Sequence, residues 1–160
     1  MLNRCSILLA ALLLGGCGYR PLRDLHVTIE SVETHGTAGA SLRLHVDNAG
    51  PDTVRLEAAE AILFYDGREV LRAVLKDPAT IAPLGRNDLR LLWRLRIPDR
   101  AALYAVRQKL ARAQTDRLRV SVALRPCTGG KTKNIGRRMP LSDFLNIFGL
   151  RPEDLLTDFE

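Results

Sequence analysis

The sequence predicts a mainly β protein: an antiparallel β-sandwich of about seven strands, with one helix inserted before the penultimate strand and a short helix near the C-terminus. Three observations lead there. Apolar residues recur at every second position through most of residues 25–126, the period of half-buried strands. Asp66-Gly67 joins two such runs, and this dipeptide supplies the two positive-φ positions that a type I′ hairpin turn needs. The period lengthens to that of a helix at 98–114 and again at 140–150.

Taken in order, LHVTIESVE (25–33) sets Leu25, Val27 and Ile29 against His26, Thr28 and Glu30. SLRLHVDN (41–48) repeats the pattern, with Leu42, Leu44 and Val46 against Arg43, His45 and Asp47. Antiparallel strands with one face on a core read this way. NAGPDT (48–53) is dense in turn residues. Residues 54–75 form two extended runs around Asp66-Gly67; the helix-favouring EAAEA competes within the first, and strand is kept for Ala61–Tyr65. PATIAPLG (78–85) is a proline-bounded irregular edge.

DLRLLWRLRI (88–97) resumes the alternation, with Leu91, Trp93, Leu95 and Ile97 inward and Arg94 and Arg96 outward. Pro98 and Asp99 suit the start of a helix, the first by its fixed φ and the second by its charge at the positive end of the dipole. Leu103, Val106 and Leu110 form the apolar stripe of that helix. DRLRVSVALRP (116–126) is the next strand, with Leu118, Val120, Val122 and Leu124 inward and Arg117, Arg119 and Arg125 outward. CTGGKTKN (127–134) is a hairpin loop, and IGRRMPL (135–141) starts as its return strand. PLSDFLNIFGL (140–150) is the short amphipathic helix, followed by an acidic tail.

The whole chain is 160 residues long, 46% hydrophobic and 26% charged, which is globular and allows one domain. Its net charge of +6 comes from arginine. An excess of this kind permits contact with anionic lipid, polysaccharide or nucleic acid. Of the three cysteines, Cys5 and Cys17 lie at the N-terminus and Cys127 stands alone in the domain. Neither an intrachain disulfide nor a cysteine-built metal site is expected there.

The first seventeen residues carry the sharpest signal. Arg4 precedes an apolar run, Ile7–Leu14, which is far shorter than the roughly 20 residues a helix needs to cross a bilayer. It has the size of a signal-peptide core. Leu14, Gly15, Gly16 and Cys17 then resemble the bacterial lipobox. In that motif the cysteine thiol takes a diacylglyceryl group, and the small residues before it admit the signal peptidase. The expected organisation is a lipoprotein signal peptide over 1–16, a lipidated tether over 17–24, a β domain over 25–145 and a tail over 146–160. Acyl chains on one cysteine satisfy the two-signal requirement for stable anchoring. Gly18, rather than aspartate, follows Cys17; by the resemblance to lipoprotein sorting signals, this implies the outer membrane, with the domain facing the periplasm.

Within the domain the candidate sites are charged surfaces. Arg90, Arg94, Arg96, Arg117, Arg119 and Arg125 point outward from their strands, and Lys131, Lys133, Arg137 and Arg138 follow in the hairpin. If the strands bearing them are adjacent, they form a basic face for anionic lipid or an acidic envelope protein; otherwise they are a solvated surface that discourages edge pairing. GGKT (129–132) lacks the upstream glycine of a phosphate-binding loop, since Arg125 occupies that position, and a strand rather than a helix follows it. His26, His35 and His45 have no metal-ligand spacing, although His26 and His45 would meet if their strands were neighbours. Cys127 has no local base. No cofactor, metal or enzymatic activity is expected, and export together with 5% aromatic content disfavours nucleic acid.

LHVDNAGPDTVRLEAAEAILFYDGREV resembles the centre of the late-embryogenesis-abundant type 2 domain, also called the water-stress and hypersensitive-response domain, through Asn48, Pro51, Tyr65 and Gly67. Met139-Pro140-Leu141-Ser142-Asp143-Phe144 resembles the closing segment of small Gram-negative lipoproteins that carry a divergent copy of it. The likeness runs from about residue 25 to 145 and departs at Ala49-Gly50, where the family brings proline closer to the asparagine. It implies an immunoglobulin- or fibronectin-like sandwich without catalysis, acting as a binding or protective module under stress. The alternative is an adaptor subunit of an envelope complex, docking through the inserted helix or through 141–159.

Overall fold

The computed structural model describes residues 20–35, 38–148 and 151–152. Leu14, Gly15, Gly16 and Cys17 lie outside the described residues, as does most of the tail. The elements are α1 (Arg20–Arg23), β1 (Leu25–His35), β2 (Gly39–Asn48), β3 (Val54–Tyr65), β4 (Arg68–Leu75), β5 (Ala79–Ile81), β6 (Gly85–Arg96), α2 (Arg100–Ala111), β7 (Leu118–Thr128), β8 (Lys131–Thr132), β9 (Ile135–Pro140) and α3 (Leu141–Phe148).

Among the described residues, all nine strands belong to one antiparallel sheet. Its order is β1-β2-β6-β4-β3-β7-β8, with β5 added to β3 and β9 to β7. Where the sequence pattern predicts a sandwich of about seven strands, the structure shows a single sheet curled into a half-barrel. Strand β6 makes the curl: residues 85–94 pair with β2, and residues 93–96 pair with β4. Bulges at Glu57 in β3, opposite β7, and at Val70 in β4, opposite β3, add bend and twist. Alternation tells which side chains face inward, but not whether one long strand serves two neighbours in turn. The additional strands, β5 and β8, are three and two residues long, too short to leave a periodic signature.

Both glycine-bearing turns form as their sequences require. Asp66 and Gly67 have φ of 51° and 79°, and Tyr65 pairs with Arg68 across them. Gly129 and Gly130 have φ of 58° and 75°. EAAEA is extended throughout, because β7 pairs with it from Ala58 on, β4 pairs with Glu60 and Ala61, and Ala59 is buried there; these pairings outweigh a helix propensity of roughly a few tenths of a kcal/mol per residue.

The concave side of the sheet holds the core, closed by the helices. Asp99 caps α2, its side chain accepting a hydrogen bond from the Ala102 amide at 2.9 Å, and Val106 and Leu110 of that helix are buried. In α3, Leu141 and Leu145 are 1% and 3% exposed. This helix is therefore a structural part of the core. Leu22 of α1, inside the stretch read as tether, is also buried in the core.

Candidate functional site

The convex side of the sheet carries the arginines, and cross-strand register assembles them in rows. Arg138 of β9 stands opposite Ser121, Ser121 opposite Ile62, Ile62 opposite Arg72, and Arg72 opposite Arg96. Directly opposed residues share a face, so this row crosses five strands and contains three arginines. Beside it, towards the Asp66-Gly67 turn, run Pro140, Arg119, Phe64 and Glu69. On its other side run Gly136, Ala123, Glu60, Val74 and Arg94.

Arg72 is the fixed centre of the face. Its Nε and Nη2 donate to the two carboxylate oxygens of Glu69 at 2.8 and 2.7 Å, and its Nη1 donates to Glu60 at 2.7 Å. The fork geometry of guanidinium suits such a bidentate pair. Hydrogen bonding from Arg72, with its charge and that of Arg96, holds the Glu69 carboxyl below the usual glutamate range. The same bonds raise the Arg72 pKa further. Arg138 lies over the Phe64 ring at 4.2 Å, a cation–π contact that restrains an otherwise exposed edge residue. Arg125 reaches Glu57 at 3.4 Å.

The expected arginines are thus brought together in part. Arg94 and Arg96 occupy one flank and Arg119, Arg125 and Arg138 the other, with β4 and β3 between them. The β6 and β7 strands are not adjacent, so the basic surface is interrupted by Glu57, Glu60 and Glu69. Arg90 stands opposite Arg43 of β2, on the other lobe of the curl. Arg117 precedes β7 with φ of 62° and sits 3.8 Å from Asp66. Its outward position on a strand is corrected, because its carbonyl accepts from the Asp66 amide at 3.0 Å and forms the strand's lead-in turn. Arg137 pairs with the inward Val122 but is exposed because β9 is a sheet edge. Lys131 lies in β8 and Lys133 just beyond it, and the Lys133 amide donates to the Pro126 carbonyl. Sequence reasoning missed Arg72, Glu60 and Glu69. The signal was present in REVLRAVL, where Glu69 and Arg72 stand three apart, but a bulge breaks the phase between them.

The remaining candidates are individually accounted for. His26 and His45 are on neighbouring strands, opposite Asp47 and Thr28. His45 Nδ1 is hydrogen-bonded to Asp88, and its Nε2 lies 3.5 Å from Glu30; the first contact holds the Asp88 carboxyl below its ordinary range. His35 Nε2 lies 3.1 Å from the Ser41 hydroxyl. Among the described residues no group of three or more His, Cys, Asp and Glu has the arrangement to hold a metal ion. Cys127 is a half-buried free thiol. The GGKT segment is a hairpin leading into β8, with no helix to receive a phosphate. A shallow groove of about 460 Å³ on the convex side runs past Ala58, Ala123 and Gly136, with Glu60 and Arg125 at its borders.

The fold and this surface define an antiparallel β protein that presents a charged, arginine-bearing sheet face. No protein-family model matches the chain, and no curated protein matches it in sequence. Among solved structures it is similar to a protein from Archaeoglobus fulgidus, at 14% identity and a TM-score of 0.41, over 70% of this chain and 94% of that one. It is also similar to a late embryogenesis abundant protein solved in solution, at 15% identity and a TM-score of 0.33, over 75% of this chain and 74% of that one. Likenesses this distant carry no argument about this chain.

Proposed function

We propose that this chain is a lipid-anchored protein of the cell envelope, released from its signal peptide before Cys17 and held by acyl chains on that residue. Its domain faces the periplasm from the outer membrane and acts as a non-enzymatic binding or protective module. The curled sheet is read as a divergent immunoglobulin-like sandwich of the late-embryogenesis-abundant type 2 kind. The observation that carries this reading is Leu14-Gly15-Gly16-Cys17 directly after a short apolar run. One further fact supports it. The chain is packed into the core by Leu22, so the acylated residue would be joined to the domain by a short link. The arginine face offers contacts to anionic headgroups or an acidic envelope partner.

The test is the intact mass of the protein extracted from membranes, together with fractionation of Cys17→Ser. Acylation at Cys17, and release of the variant from membranes, is the expected result. An unmodified Cys17 in the wild-type protein would sink the anchor.

A second reading, an adaptor subunit, is favoured by one observation: Tyr104 on α2 is 63% exposed. Tyr104→Ala should then lose a co-purifying envelope subunit without loss of fold. Unchanged subunit composition would count against it.

A further inference from the structure

We infer that the loop end of the domain next to α1 is seated on the bilayer, with Leu84 inserted among the lipids; the inference rests on the acylation of Cys17 proposed above. Two residues, and so three Cα–Cα steps, separate Cys17 from Arg20, the first residue of α1. A chain of that length spans at most about 11 Å. Whatever path it takes, the lipid surface therefore lies close to α1.

Two loops meet the chain there. The Ala49 amide donates to the Asp24 carbonyl at 2.9 Å, and the Leu84 amide donates to the Gly50 carbonyl at 3.1 Å. The approach is close: a Cβ on Gly50 would stand 2.7 Å from an Asp24 carboxylate oxygen and 3.1 Å from the Asp24 Cβ, so a larger residue there would have to displace that side chain. The loops are also rigidly tied to each other. Asn48, 3% exposed, donates to the carbonyls of Asp52 and Ala82 at 2.9 and 3.2 Å and accepts from the Gly50 amide at 3.0 Å. Asn87 accepts from the Ala82 amide at 2.8 Å and returns a bond to its carbonyl.

The apolar residues this scaffold exposes are Ala49 and Pro51 in one loop and Ala82 and Leu84 in the other, with the charged Asp52 exposed beside Pro51. Leu84 is 73% exposed, more than either other exposed large hydrophobic among the described residues. It also holds φ of 53°, a left-handed conformation that favours glycine. A leucine there meets steric opposition and leaves its apolar surface in water, two costs that insertion among acyl chains would offset in the second case. A single exposed leucine needs no explanation on most surfaces. This one stands on a braced apolar tip at the end where the acylated chain leaves the domain. Arg23 and Arg86 are exposed nearby, as is Asp52, so the contact is apolar rather than driven by net charge.

The test uses the full lipidated protein in phosphatidylethanolamine–phosphatidylglycerol vesicles, with Cys127→Ser so that one thiol is labelled. An environment-sensitive fluorophore is placed at Leu84→Cys, and in a second protein at Arg68→Cys. The second site lies beyond the twelve residues of β3, about 40 Å from the tip. Acylation is checked by mass and folding by urea midpoint. Emission at position 84 is expected to shift to the blue and to be quenched at least twofold more by spin-labelled lipid than at position 68. Equal quenching at both positions in an acylated, vesicle-bound, folded protein would overturn the seating while leaving the anchor standing. A mass without acyl chains on Cys17 would overturn both.

Discussion

Arg72 donates to two glutamates at once, and neither carboxylate has a second arginine bonded to it in the described contacts. Its side chain is 30% exposed, so solvent screens the pair and limits its contribution. Replacing it by methionine keeps much of the stem's packing and strands Glu60 and Glu69 side by side. Arg72→Met is expected to lower stability by about 1–2 kcal/mol at neutral pH, read as a lower urea midpoint at unchanged slope. The pH dependence has a definite sign. Because Glu69 titrates below its ordinary value in the folded protein, its contribution is complete above the unfolded-state pKa and is lost as pH falls through the lowered folded one. The difference between wild type and Arg72→Met should therefore shrink as the solution is acidified through that range. A difference that is constant with pH would show that packing, not charge, is what the substitution removes.

At the scale of elements, α3 shows how far local pattern reaches. PLSDFLNIF has helical spacing, and Leu141–Phe148 is a helix; what the spacing left unknown was whether anything covered its apolar stripe. Leu141 and Leu145 are buried, and α3 packs against β7 and β9. Leu145→Ala is thus expected to destabilise the domain by about 2–4 kcal/mol, measured by chemical unfolding. An effect below about half a kcal/mol would mean that the helix is not part of the cooperative unit. The hairpins are the opposite case. Asp66-Gly67 and Gly129-Gly130 needed only their own residues to be recognised, because a positive φ at consecutive positions is a local steric demand. EAAEA was ambiguous for the same reason in reverse: its local preference is helical, and its partners β4 and β7 are distant in sequence.

For the whole molecule, the question is what the arginine row faces. It crosses β3 at Ile62, eight residues from Val54 at the loop end, or about 26 Å along the strand. That exceeds the screening length of about 8 Å at physiological salt. If the loop end sits on the bilayer with the strands rising from it, the row stands beyond screened reach of the headgroups beneath. Arg96→Gln with Arg138→Gln is expected to leave quenching at position 84 unchanged in the lipidated protein. In the soluble Cys17→Ser chain, which is free to lie flat, the same pair should weaken binding to phosphatidylglycerol vesicles about 30-fold at low salt, at about 1 kcal/mol per charge. Equal loss from Arg117→Gln alone would point to net charge rather than the row, because Arg117 lies at the far turn beside Asp66.

The amino-acid sequence by itself determined most inward and outward residues of the strands, Arg117 and Arg137 excepted, both glycine-bearing turns, a helix following Pro98 and the lipobox-like motif. Each of these depends on residues within a few positions of one another, where periodicity and backbone sterics act directly. Only the tertiary structure decided the strand order, the sharing of β6 between β2 and β4, and therefore the separation of the two arginine flanks by Arg72 and its glutamates. It alone brought Asp24, Gly50 and Leu84 to one end of the domain. Those outcomes rest on pairings between segments far apart in the chain, and a two-residue period is the same whichever strand lies next to it.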